Sequence, residues 1–119
     1  MSERSEVKRD DAKPVKNSGR GSHQKGDAIW GDFVVDYKEY PKGFRVGKAE
    51  WAKICTDAMR TDRSKSPALK IIMGDGSDII RLAVIEWGVL EQMVSDLGRY
   101  KMLSEYLNKN PGHYDNNDR

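Results

Sequence analysis

Apolar residues recur along this chain in two rhythms, every second position in some stretches and every third or fourth in others, and the two rhythms mark strands and helices. Residues 29–40, IWGDFVVDYKEY, are rich in β-branched and aromatic side chains around Gly31-Asp32, which predicts a β-hairpin with a tight turn. Pro41-Lys42-Gly43 makes the next turn, and Phe44-Arg45-Val46 reads as a short third strand. Trp51, Ile54, Cys55, Ala58 and Met59 then share one face of a helix, with Lys48, Glu50, Lys53, Asp57 and Arg60 on the remainder. Ser66-Pro67 closes a loop, Ala68 to Met73 is an apolar strand, Gly74-Asp75-Gly76-Ser77 a turn and Asp78 to Ile85 another strand. A second helical stripe runs through Leu90, Met93, Val94 and Leu97, meets a candidate break at Gly98, and resumes at Tyr100, Leu103, Tyr106 and Leu107.

The ends are more polar. Residues 1–26 hold Gly19, Gly21 and Gly26, with room for only a short helix from Glu3 to Asp11 before Pro14, and are expected to form a mobile N-terminal arm and a Ser-Gly loop. Residues 27–110 form the expected core, and the segment from Pro111 a flexible tail. Short helix, hairpin plus third strand, helix, hairpin and helix together predict an α/β chain, a mixed central sheet flanked by helices. No internal repeat interrupts this order.

Composition narrows the function classes. A chain of 119 residues with 37% hydrophobic and 34% charged residues fits one wet globular domain with a limited core, for which pairing with a second copy would bury more surface. No apolar run approaches the ~20 residues that cross a bilayer, and the first residues, MSERSEVKRDDAK, are charged, so the expectation is a cytoplasmic protein without a membrane partner. The single cysteine, Cys55, has no partner for an internal disulfide and lies in the helical stripe, which reads as a buried structural thiol. Net charge is only +2, yet residues 1–70 carry 16 basic against 11 acidic side chains, while residues 71–119 carry 5 against 8. The basic half suits an anionic partner.

That half also holds the candidate chemistry. Asp36 and Lys38 in VVDYK are two apart on a strand and project from the same face. Asp27 precedes the first strand of the hairpin, where pairing could carry its carboxylate to Asp36. Two adjacent carboxylates repel unless a cation lies between them, and Mg²⁺ accepts such a pair while keeping several waters. An ion there would activate water and polarise a phosphodiester, with the lysine orienting the nucleophile and offsetting developing negative charge. An aspartate and a lysine two apart match by chance in many chains, so the surrounding segments matter. Gly74-Asp75-Gly76-Ser77 lacks the lysine and following helix of a phosphate loop and is read as a turn only.

Read in order, NSGRGSHQKGD (17–27), FVVDYK (33–38), FRVGKAEWAKI (44–54) and the later PALKIIMG strand resemble small phage-type Holliday-junction resolvases and, more distantly, their archaeal counterparts, within the PD-(D/E)xK nuclease superfamily. The resemblance covers roughly residues 17–85. It implies a restriction-endonuclease-like fold and Mg²⁺-dependent cleavage of four-way or other branched DNA, with Mn²⁺ as a substitute. It also implies Asp27 and Asp36 as metal ligands, the Tyr37 carbonyl in the metal shell, Lys38 as the catalytic lysine, and Ser18 beside the scissile phosphate. Gly26 stands where the superfamily name has proline, and Asp36 where glutamate is commoner. The family draws a further acidic residue from its first helix, for which Glu6 is the first choice here and Glu3 the second.

Arg20, Gln24 and Lys25 in the loop and Lys42, Arg45 and Lys48 beyond the hairpin would contact the DNA backbone, which needs cations and donors rather than particular bases. His23 in the same loop reads as a solvated side chain, and Trp30 and Trp51 as core. A junction cut on two opposing strands calls for a homodimer, with the stripes from Leu90 to Leu107 as candidates for its interface or for a cover over the sheet. The competing expectations are a related nuclease acting on flaps, nicks or duplex DNA, and a non-catalytic DNA-binding protein of the same fold.

Overall fold

The computed structural model describes residues 3–15 and 26–110. The chain divides into two compact units after Glu86.

In the first unit the described residues form one five-stranded sheet in the order β1 (Lys13–Pro14), β2 (Gly26–Trp30), β3 (Phe33–Glu39), β4 (Ser66–Met73) and β5 (Ile80–Val84). Every pairing is antiparallel except β3 with β4, which run parallel because helix α2 (Lys48–Thr61) returns the chain between them. The architecture is thus α/β with a mixed sheet, as the sequence pattern predicts. Trp30 pairs with Phe33 across a two-residue turn in which only Gly31 has positive φ (+58°), the combination a type II′ hairpin requires. Gly74 opens the β4–β5 turn at φ +90°, and a Cβ there would stand 2.0 Å from the Asp78 carbonyl oxygen, so no other residue fits without moving the backbone.

Strand alternation sends β3 side chains to opposite layers. Val35 and Tyr37 join Ala28, Ala68, Ile72 and Val7 of helix α1 (Glu3–Arg9) in one core. On the other face Leu69 and Ile71 meet Ile54 of α2, with Phe44 and Trp51 packed beside them. Helices α1 and α2 therefore cover opposite faces of the sheet.

Several expectations change. The segment before Pro14 is no loose arm over its described part, because α1 buries Glu6 and Val7 against the sheet. Pro14 lies in edge strand β1, where a missing N–H costs no central ladder bond, and Ser66-Pro67 begins β4 rather than ending a loop. Residues 44–46 form no strand; Phe44 instead stacks on Tyr40 with ring centroids 5.3 Å apart. Trp30 is 50% exposed and Met59 55% exposed, so neither is core, and Cys55 is half-buried rather than sealed. The Cys55 thiol is pushed up by burial and by the Glu86 carboxylate, away from nucleophilic use.

The second unit begins with helix α3 (Trp87–Lys109). It is continuous through Gly98, whose added Cβ would meet nothing within 4 Å, so one glycine costs the helix only its local propensity.

Candidate active site

The register of the first hairpin brings the predicted carboxylates together. Asp27 is the direct partner of Asp36 across the antiparallel β2–β3 pair, so the two side chains project from one face with Cβ atoms about 4.5–5.5 Å apart. Both side chains are partly buried. Lys38 emerges from the same face two residues on, and its Nζ lies 3.6 Å from Asp36 Oδ1. The Phe44 ring sits under that ammonium at 5.8 Å from Nζ to the ring centroid, a cation–π contact that restricts where Lys38 can point.

A cavity of about 200 Å³ opens beside this pair, between β3 and α2, lined by Asp36, Lys38, Phe44, Glu50, Lys53, Ile54 and Asp57. Helical spacing explains the α2 contribution, since residues 50, 53, 54 and 57 fall on one side of the helix. The start of α2 is held by Glu50, whose Oε1 accepts the Gly47 N–H at 3.0 Å.

The electrostatics favour a cation at Asp36. Burial raises its pKa above the ordinary aspartate value, Lys38 opposes that shift, and the nearby Glu3 and Asp57 carboxylates add to it. A divalent ion would relieve both the desolvation and the repulsion. The donor set, two carboxylates on adjacent strands, suits a hard oxygen-seeking ion that retains water. Among the described residues no three His, Cys, Asp or Glu side chains form a ready-made metal cage.

The other acidic choice is corrected by the strand alternation. Glu6 lies on the opposite face of the sheet, 1% exposed, where Arg81 holds it through Nε at 2.9 Å and NH2 at 3.1 Å and Lys70 Nζ adds a third contact at 2.9 Å. Those bonds depress its pKa to about 2, chiefly through Arg81. A carboxylate already satisfied by two cations has nothing left for a metal on the far side. Glu3, the second choice, reaches the end of β3 instead: its Oε2 accepts the Glu39 N–H at 3.0 Å, and its charge is felt at Asp36. Tyr37 turns its side chain into the α1 core, where its hydroxyl donates to Asp10 Oδ2 at 3.0 Å, while its backbone sits opposite Gly26 of β2 and Lys70 of β4.

No protein-family model, curated protein or solved structure matches this chain.

Of the remaining predicted residues, Lys42, Arg45 and Lys48 are exposed on the segment that carries Phe44 into the cavity wall. Ser18, Arg20, His23, Gln24 and Lys25 lie outside the described residues. Sequence reasoning missed Glu50, Lys53 and Asp57. They looked like the solvated side of an amphipathic helix, and the available signal was that their 3–4 spacing runs directly beside Ile54, the residue that anchors α2 to the sheet.

Proposed function

We propose that this chain is a metal-dependent endodeoxyribonuclease of the restriction-endonuclease-like kind, acting on four-way or other branched DNA. One observation carries the reading: Asp27 and Asp36 are register partners on a single face, with Lys38 two residues further along the same strand. Asp27 and Asp36 would hold Mg²⁺, or Mn²⁺ in its place. When bound, such an ion supplies an activated water and a Lewis acid for the phosphodiester. Lys38, held between Asp36 and Phe44, orients the attacking water and offsets negative charge that develops on the phosphoryl oxygens. Water then adds at phosphorus as the bridging ester oxygen departs with a proton. Lys53 lies across the cavity from β3 and can contact the same phosphate group, while Lys42, Arg45 and Lys48, exposed on the segment around Phe44, would contact the neighbouring backbone.

Two opposing strands must be cut to resolve a junction, and a homodimer provides two sites. No described helix is long and apolar enough to cross a membrane.

Incubating the protein with a four-way junction, a flap and linear duplex DNA in Mg²⁺ tests the reading directly. Junction cleavage that disappears in Asp27→Asn and Asp36→Asn, with junction binding retained, is the expected result. Equal cutting of all three substrates would remove the preference for branched DNA, and a wild-type protein inert in both Mg²⁺ and Mn²⁺ would leave only a DNA-binding role.

A further inference from the structure

Helix α3 spans 23 residues, and none of them is buried among the described residues. Met93, Val94, Leu97, Tyr100 and Leu103 are each 47–66% exposed. A helix in a protein draws most of its stability from packing its apolar face, so a stripe of this size implies a cover. The stripe has heptad spacing. Leu90, Leu97 and Ser104 fall at a, and Met93, Tyr100 and Leu107 at d, over about two and a half heptads.

The flanking positions identify the occupant and its direction. The g sites are Val89, Asp96 and Leu103, and the e sites that face them are Val94, Lys101 and Asn108. When two copies pair in parallel, each g site faces the e site five residues later on the other helix. Val89 then meets Val94 of the partner subunit and Asp96 meets Lys101 of the partner subunit, twice over by symmetry, with one mismatch at the C-terminal end where Leu103 meets Asn108 of the partner subunit. Pairing the same helices antiparallel with Leu97 beside Tyr100 sets Asp96 against Leu103 and Lys101 against Val94, charge against apolar side chain both times. Asp96 is now bonded to Gln92 Nε2 and Arg99 NH2 of its own helix, exposed contacts that cost little to rearrange.

We propose that α3 is the dimerisation element of this protein, forming a parallel two-stranded coiled coil with α3 of a second copy. The inference stands on α3 alone and does not depend on DNA cleavage, although it would supply the pair of sites that junction resolution needs. Ser104 at a and Tyr100 at d make the seam weaker than one of Leu and Ile throughout.

Sedimentation equilibrium of the full chain, without DNA or metal, tests it. The expected mass is twice 13.5 kDa at micromolar concentration. Leu97→Glu, at a position exposed in the single chain, is expected to give a folded monomer with unchanged far-ultraviolet signal from the sheet. Asp96→Lys should weaken the dimer at least tenfold, and adding Lys101→Asp should restore it. For direction, Leu97→Cys in a Cys55→Ser background should form a disulfide-linked dimer on addition of oxidised glutathione, because a sites face each other only in parallel pairs. A wild-type monomer at every concentration, or a dimer indifferent to Leu97→Glu, overturns the proposal. Dimers that resist linkage at residue 97 overturn the parallel arrangement. A monomer that cuts junctions would refute this inference alone, and a dimer that cuts no DNA would refute the nuclease reading alone.

Discussion

The two faces of β3 carry charged clusters of opposite character. On the α1 face, Glu6, Asp10, Lys70, Arg81 and the Tyr37 hydroxyl form a closed network: Lys70 Nζ reaches Glu6 at 2.9 Å and Asp10 at 2.8 Å, and every carboxylate has a cation within hydrogen-bond reach. On the α2 face, Asp36 has among the described residues a single lysine at 3.6 Å, with other carboxylates nearby and an open cavity beside it. Burial depresses the pKa of neither cluster by itself. The sign depends on whether cations compensate it, which is why Glu6 falls to about 2 while Asp36 rises. A satisfied cluster is a clamp, here fastening α1 to the sheet, and an under-compensated one is a place where a cation can be received.

Breaking the closed network should have the largest effect. Glu6→Ala leaves Lys70 and Arg81 without their shared carboxylate and is expected to cost about 3–5 kcal/mol, a large part of the stability of a small domain, measured by urea unfolding. On the other face, Asp36→Asn or Asp27→Asn should reduce Mg²⁺-dependent cleavage by about 10²–10³-fold or more with no matching loss of fold, read from single-turnover rates beside thermal melts. The contrast fails if both substitutions unfold the protein or if Glu6→Gln alone abolishes cleavage in a folded chain.

Tyr37→Phe removes a buried hydroxyl that donates to a carboxylate and should cost about 1.5–3 kcal/mol in the same unfolding assay. Acid should unlock the clamp in a defined window. Because the Glu6 pKa is depressed from 4.5 to about 2, its contribution is complete above roughly pH 5 and is lost as pH falls toward 2. Unfolding curves at pH 7, 4 and 2.5 should show that loss, and Glu6→Gln should flatten it. The smallest effect is of opposite sign. Burial and the neighbouring Glu3 and Asp57 carboxylates disfavour the charged form of Asp36, so Asp36→Asn should stabilise the fold by about 0.5–2 kcal/mol while it removes cleavage, which differential melting at pH 7 beside the cleavage assay would reveal.

Much of this was legible from periodicity. The hairpin at Gly31-Asp32, the helix holding Ile54 and Ala58, the turn at Gly74 and the placement of Asp36 with Lys38 follow from local rules, because side-chain alternation and turn geometry act over a few residues. Phe44 looked like a strand residue by composition, but it lies in the non-strand segment that leads into α2, with its ring stacked on Tyr40 and lining the cavity. Pro67 looked like a stop, but as the second residue of β4 it sits where the loss of one N–H is tolerated.

By itself, then, the sequence determined which residues alternate, where the chain turns, and that an aspartate and a lysine share one face of a strand. Tertiary structure alone decided that Asp27 opposes Asp36, that Glu6 belongs to a clamp on the far side while Glu3 comes toward the site, and that Glu50, Lys53 and Asp57 complete the cavity wall. The reason is physical: alternation is a property of one strand, whereas register, sheet order and the face a helix covers arise only when distant segments compete for the same partners.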